Sequence, residues 1–232
     1  MRLFAALSIF VTAVLASSHA MSTTPLSVQP PITIVALGDS TTAGTPAFLS
    51  PIEAPPDGRG NVESQYAHWL MRARPSWRVL NRGVNGERSD QIRARVTRDV
   101  LNARPAVVVV IAGVNDVYQG RSADAVIAEL REIYAAATAN GIRVVAGTIV
   151  PYDTATADQN TRMQAINQWI RRTADAEALV WFCDTRAAVA DPANPDRLLA
   201  SPDGLHPTAD GYHFMADALL PVIDAALRHD RK

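Results

Sequence analysis

Ile32-Thr33-Ile34-Val35-Ala36-Leu37-Gly38-Asp39-Ser40-Thr41-Thr42-Ala43-Gly44 is an apolar run that breaks at a glycine and ends in a polar cluster. Residues 32–37 form a continuous apolar run, the pattern of a strand covered on both faces. Comparable strand candidates follow at 77–80, 106–112, 143–149 and 179–183. Between them the spacing predicts helices over 64–73, 90–102, 123–140 and 160–176, with a last helix over 209–227 after Pro207. The third of these carries Val126, Ile127, Leu130, Ile133 and Tyr134 at helical spacing. Ser122 caps its start, and Asn140-Gly141 tolerates the left-handed turn that ends it. Strands alternating with helices imply right-handed βαβ units, hence an α/β fold with a parallel sheet flanked by helices on both sides. Such sheets bind ligands beyond the carboxyl ends of their strands.

Composition sets the outer limits. The chain has 232 residues, 48% hydrophobic and 19% charged, which fits a single sizeable domain and excludes disorder. A net charge of −1 gives no basic surface for nucleic acid or an anionic membrane. The positive charge is almost all arginine, with Lys232 the only lysine. Residues 1–20 read as a signal peptide: Arg2 as the positive start, an apolar stretch over 3–16, and cleavage after Ala20 in Ser18-His19-Ala20. That apolar stretch is shorter than the ~20 residues a membrane span needs. The expectation is a secreted or periplasmic protein without stable membrane insertion, in which a linker over 21–31 leads into one domain over 32–232. Cys183, the only cysteine, sits in an apolar run and reads as a buried, inert thiol.

The chemistry-bearing residues fall where these strands end. Ser40 follows the first strand; a hydroxyl there needs a base to become a nucleophile. Asp203-Gly204-Leu205-His206-Pro207 puts a carboxylate and an imidazole three residues apart on a loop. Asp203 can hold Nδ1 of His206 and leave Nε2 as the base. Asn115, in Gly113-Val114-Asn115-Asp116, offers a side-chain amide above the sheet. The segment 81–89 holds Gly83 and Gly86, either of which can bring a backbone N–H close to a ligand. Each motif taken alone is also compatible with an ordinary turn or helix cap. Two long loops, 45–60 and 185–204, each meet a proposed catalytic residue and are expected to wall the pocket. His68, His213 and His229 lie in helical segments and read as structural or exposed.

In their order and setting, Gly38-Asp39-Ser40, the Gly86 segment, Gly113-x-Asn115-Asp116 and Asp203-x-x-His206 resemble the GDSL-type, or SGNH, hydrolase family over about residues 32–220. The resemblance implies a three-layer α/β/α sandwich, flavodoxin-like, with about five parallel strands. It implies Ser40 as nucleophile, His206 as base and Asp203 as its partner. Ser40 N–H, Gly86 N–H and the Asn115 amide are then the oxyanion donors, with Gly86 chosen over Gly83 on the match to the family's second block. Thr41 stands where the family name has leucine, a position without a chemical role. Gly-x-Ser-x-Gly, the mark of the α/β-hydrolase elbow, does not occur.

These readings describe a serine esterase acting on a small-molecule ester through an acyl-enzyme, with no metal and no cofactor. Small acyl or aryl esters, acetylated sugars and lysophospholipids are the substrate classes. Tyr118, Pro151 and Tyr152 follow strand ends and are candidates for the pocket lining. An acyltransferase with the same triad is the first alternative. A metal-dependent hydrolase using Asp39, Asp116 and His206 and a non-catalytic carbohydrate- or lipid-binding module are the others.

Overall fold

The computed structural model describes residues 30–228, so the expected signal peptide and most of the linker lie outside the described residues, as do His19 and His229. Five parallel strands form the central sheet: β1 (Ile32–Gly38), β2 (Trp77–Gly83), β3 (Val107–Ile111), β4 (Arg143–Gly147) and β5 (Val180–Cys183). Their order is β2-β1-β3-β4-β5. This doubly wound order puts a topological switch point between β1 and β3, where ligands gather in such sheets.

The helices are α1 (Ser40–Ala43), α2 (Tyr66–Ala73), α3 (Ser89–Ala94), α4 (Val114–Tyr118), α5 (Ala123–Ala139), α6 (Ala157–Ala176), α7 (Thr185–Val189) and α8 (Ala209–Arg228). Successive strand residues point to opposite faces, and the core divides accordingly. Val35, Leu37, Val108 and Val110 pack with Ile92, Leu130 and Ile166 from α3, α5 and α6. Ile34, Ala36, Val107 and Val109 pack on the other face with Leu70 of α2 and Met215, Leu219 and Ile223 of α8. Burial on both sides explains why the strand sequences lack alternation. The result is the expected α/β/α sandwich.

Several boundaries differ from the sequence reading. β2 runs on to Gly83, so Asn81-Arg82-Gly83 belongs to the strand, and Gly83 pairs across from Gly38. The helix expected over 90–102 is α3 followed by a wide π turn, Thr97–Leu101, with Arg95 at the junction. A 3-10 turn, Val62–Ser64, precedes α2. α6 begins at Ala157, where Thr156 and Gln159 form a reciprocal cap. The two long loops carry structure of their own. Phe48–Leu49 pairs with Arg59–Gly60 in the first, and Ala190–Asp191 with Asn194–Leu198 in the second. No helix among the described residues is long and apolar enough to cross a membrane.

Candidate active site

Ser40 is the first residue of α1, directly beyond β1, and is 3% exposed. Asp39 caps this one-turn helix. Its Oδ1 accepts from Thr41 N–H at 3.0 Å, and its backbone carbonyl accepts from Thr42 and Ala43. Those bonds absorb the early donors of the turn and leave Ser40 N–H without a partner among the described residues. Asp39 is buried in an apolar neighbourhood that includes Ile111, Ala112, Val114 and Ile149. Burial, with help from Asp116, pushes its carboxyl up to about 7.

The loop between β5 and α8 carries the acid–base pair. Asp203 Oδ2 lies 2.7 Å from His206 Nδ1. Its Oδ1 accepts from the N–H groups of Leu205, at 3.0 Å, and His206, at 2.9 Å. Partial burial works to raise the Asp203 carboxyl, but the bonds from the His206 ring and the two N–H groups outweigh it and hold the group below its ordinary value. An ionised carboxylate only accepts, so Nδ1–H is the donor in this pair, and in the neutral form of the ring Nε2 is then the nitrogen with the lone pair. His206 is 5% exposed, and its Nε2 is buried with no hydrogen-bond partner among the described residues. No hydrogen bond joins Ser40 Oγ to Nε2 among the described residues. Ser201, which sequence reasoning passed over, braces this loop by donating to His206 O at 2.7 Å and accepting from Gly204 N–H at 2.8 Å. Asp153 braces it from the loop after β4, through Gly204 O at 2.7 Å and Leu198 N–H at 3.0 Å.

The remaining motifs meet at the same sheet edge. Asn115, in the first turn of α4, donates through Nδ2 to Glu87 O at 3.0 Å, so one of its two amide hydrogens is committed and the other is left over. Asp116 is fully buried and accepts from Ser89 N–H and Oγ, both at 2.8 Å, and from Arg121 at 2.6 Å. It locks the segment after β2 to the segment after β3. The two glycines separate clearly. Gly83 N–H goes to Asn81 Oδ1 at 2.9 Å, and a Cβ there would sit 2.1 Å from Ala43 N, so this glycine lets α1 lie on β2. Gly86 has φ +78°, stands exposed, and its N–H has no partner among the described residues. The loop over 45–60 docks on the same turn through Ser50 Oγ to Gly83 O, at 2.6 Å, and Asn85 N–H to Glu53 Oε1, at 2.8 Å. Tyr212 ties the first and last motifs together. It donates to Thr45 O at 2.8 Å, and burial together with the charges of Asp39 and Asp203 raises its hydroxyl well above the ordinary range.

A profile of the family described as GDSL-like lipase/acylhydrolase matches residues 36–214. The chain belongs to that family. The GDSL family is one of esterases and acylhydrolases, so the chain is a hydrolase of that kind. Comparison with curated proteins returned no match. Among solved structures, the GDSL-family chain is similar to a GDSL-like lipase from Bacteroides thetaiotaomicron VPI-5482, at 23% identity and TM-score 0.68, over 84% of this chain and 89% of that one. A member of the lipolytic G-D-S-L family from Veillonella parvula DSM 2008 is similar at 17% identity and TM-score 0.68, over 83% and 98%. A catalytic mutant of an acetylxylan esterase from Geobacillus stearothermophilus is similar at 21% identity and TM-score 0.65, over 89% and 100%. At these identities the likeness is one of fold, the sandwich with its five parallel strands.

The other residues singled out in this GDSL-family sequence fall as follows. Tyr118 ends α4 with 59% of its surface exposed, and its ring meets Tyr152 edge-on at 5.9 Å. Pro151 and Tyr152 are buried behind it. His213 stacks on Trp69 with ring centroids 3.9 Å apart, and His68 precedes that tryptophan on α2. Cys183 is buried, which pushes its thiol up to about 12. A cavity of about 440 Å³ between α5 and α6, lined by Tyr134, Trp169 and Val180, opens at the start of β5, away from the strand ends that carry Ser40.

Proposed function

We propose that this protein is a serine carboxylic-ester hydrolase that uses Ser40, His206 and Asp203 as its triad. The observation that carries the reading is the state of His206. Its Nδ1 is held by an ionised Asp203 at 2.7 Å, while Nε2 is buried and uncommitted on the same sheet edge as Ser40. In this reaction Ser40 Oγ attacks the ester carbonyl as Nε2 takes its proton. The oxyanion is met by Ser40 N–H, Gly86 N–H and the free hydrogen of the Asn115 amide. His206 then protonates the leaving alcohol, and water activated by the same imidazole releases the acid. Each oxyanion donor is worth about 10²–10³ in rate.

The same reading takes residues 1–20 as a cleaved signal peptide, so the substrate is an ester met outside the cytoplasm. Tyr118 at the rim and the Pro-rich loop over 45–60 favour compact acyl or aryl groups, acetylated sugars among them. The fold likeness to an acetylxylan esterase makes acetylated saccharides a natural probe. Purified wild type should hydrolyse short nitrophenyl esters and be labelled at Ser40 by an organophosphonate. Ser40→Ala and His206→Ala should lose at least about 10³-fold in kcat with unchanged circular dichroism. Retained turnover in Ser40→Ala would overturn the triad. An optimum at long acyl chains would overturn the substrate assignment, and faster product formation as an acylated acceptor would make the protein a transferase.

A further inference from the structure

The turn that carries Gly86 is short, partly exposed and free of regular structure over residues 84–87. An oxyanion donor nevertheless has to be held to within a few tenths of an ångström before the charge develops, because its value comes from not having to reorganise. Something outside the turn must fix it, and the structure contains a frame built for that.

Arg95 stands at the end of α3 with 7% of its side chain exposed. Its guanidinium reaches in four directions. Nη2 donates to Gly38 O at 2.9 Å, the carbonyl two residues before Ser40. Nη1 donates to Arg82 O at 2.8 Å, near the end of β2, and to Asp99 Oδ2 at 2.8 Å. Nε donates to Glu87 Oε2 at 2.6 Å, on the residue after Gly86. Gly38 O also accepts Val84 N–H at 3.2 Å, so a single carbonyl receives both the guanidinium and the start of the turn. On the opposite side, Glu53 from the 45–60 loop accepts Asn85 N–H at 2.8 Å through Oε1 and Ser50 N–H at 2.9 Å through Oε2. Gly86 is thus bracketed by one tethered residue before it and one after it. The planar fork of arginine suits this task, since its donors leave in fixed directions.

We infer that Arg95 and Glu53 are positioning residues that hold the Asn85–Gly86–Glu87 turn, setting Gly86 N–H in register with Ser40 N–H. The inference rests on the esterase reading above. Neither residue touches the reacting atoms. They act through the spacing of two backbone donors, so their loss weakens the oxyanion contact while leaving substrate binding and the His206–Asp203 pair intact.

The variant set is Arg95→Lys, Glu87→Ala, Glu87→Gln and Glu53→Ala, assayed on a nitrophenyl ester well below each variant's melting temperature. Glu87 is partly exposed and, among the described residues, its carboxylate bonds only to Arg95, so its variants are the ones that fold even where Arg95→Lys does not. Glu87→Ala should lower kcat by about 10-fold to 100-fold with KM within twofold and an unshifted pH profile, in the range of a weakened oxyanion donor. Glu87→Gln, which keeps a neutral acceptor for Nε, should recover part of that loss. Glu53→Ala should act in the same direction, and amide exchange at residues 85–87 should speed up in both alanine variants without change in β1 or β3. A merely structural role would lower the melting temperature and leave kcat of the folded fraction at the wild-type value, which would overturn the inference. If Ser40→Ala abolishes turnover but Glu87→Ala and Glu53→Ala do not reduce it, the esterase reading stands and the frame falls. If Ser40→Ala retains turnover, the esterase reading fails and the oxyanion role of the frame fails with it.

Discussion

Asp39 shows how a buried side chain next to the nucleophile shapes the behaviour of the protein with pH. Its carboxyl is moved from 3.8 up to about 7, chiefly because burial penalises the charged form. The folded protein therefore keeps a proton that the unfolded chain releases between those two values. Stability from this group is full below 3.8 and is lost as pH rises through about 7, by on the order of 4 kcal/mol. Asp203 and Asp99 carry the opposite sign, because their bonded partners hold them below the ordinary value, and their contribution is lost as pH falls through their folded values. Urea unfolding from pH 4 to pH 8.5 should give a maximum on the acid side of neutrality. In Asp39→Asn, which still caps α1 through its side-chain oxygen, the decline toward pH 8 should flatten. An equally steep decline in that variant would place the titrating group elsewhere.

At the scale of elements, the two glycines after the second apolar run do different work, and sequence could not divide them. Both lie in Asn81-Arg82-Gly83-Val84-Asn85-Gly86, and only the structure shows that the first is inside β2 with α1 lying on it. Gly83→Ala would drive a methyl against backbone atoms of Ala43, which cannot swing aside as a side chain can. The variant should displace α1 with Ser40, losing several degrees of melting temperature and most turnover. Gly86→Ala meets nothing within 4 Å and pays only the strain of φ +78°, about 1 kcal/mol. It should fold and retain its N–H, and so keep the larger share of activity. Comparable losses in both variants would contradict the division. The elements that sequence showed best were those with many residues behind them: each apolar run became a strand, and the amphipathic 123–140 segment became α5. α1, α4 and α7 went unseen because four or five residues are too few to display a helical period. Ser40, Asn115, Asp203 and His206 were legible because each motif is local. Arg95 and Glu53 were not, since their bonds to Gly38 O and Asn85 N–H span 57 and 32 residues and nothing in their neighbourhood announces a long-range bond to backbone.

For the whole molecule, the strand order decides where chemistry and stability reside. With β1 and β3 neighbours in β2-β1-β3-β4-β5, the residues that follow them, Ser40 and Asn115, leave the sheet at the same edge, as does the Gly86 turn after β2. The apolar mass lies instead on the two faces, in clusters that the sheet separates. Leu130 on α5 and Leu219 on α8 are both fully buried, one on each face. Truncating either removes a core side chain and leaves a cavity, at about 2–5 kcal/mol. Neither leucine is among the residues whose hydrogen bonds hold Ser40, the Gly86 turn or His206. Leu130→Ala and Leu219→Ala should therefore lower the melting temperature while leaving kcat near the wild-type value at temperatures where both variants are fully folded. Because the clusters lie on opposite faces without shared partners, the double variant should lose close to the sum of the two stabilities. A large drop in kcat from either single substitution would mean that face packing is transmitted to the strand ends, and that the site is not held by its own loop bonds.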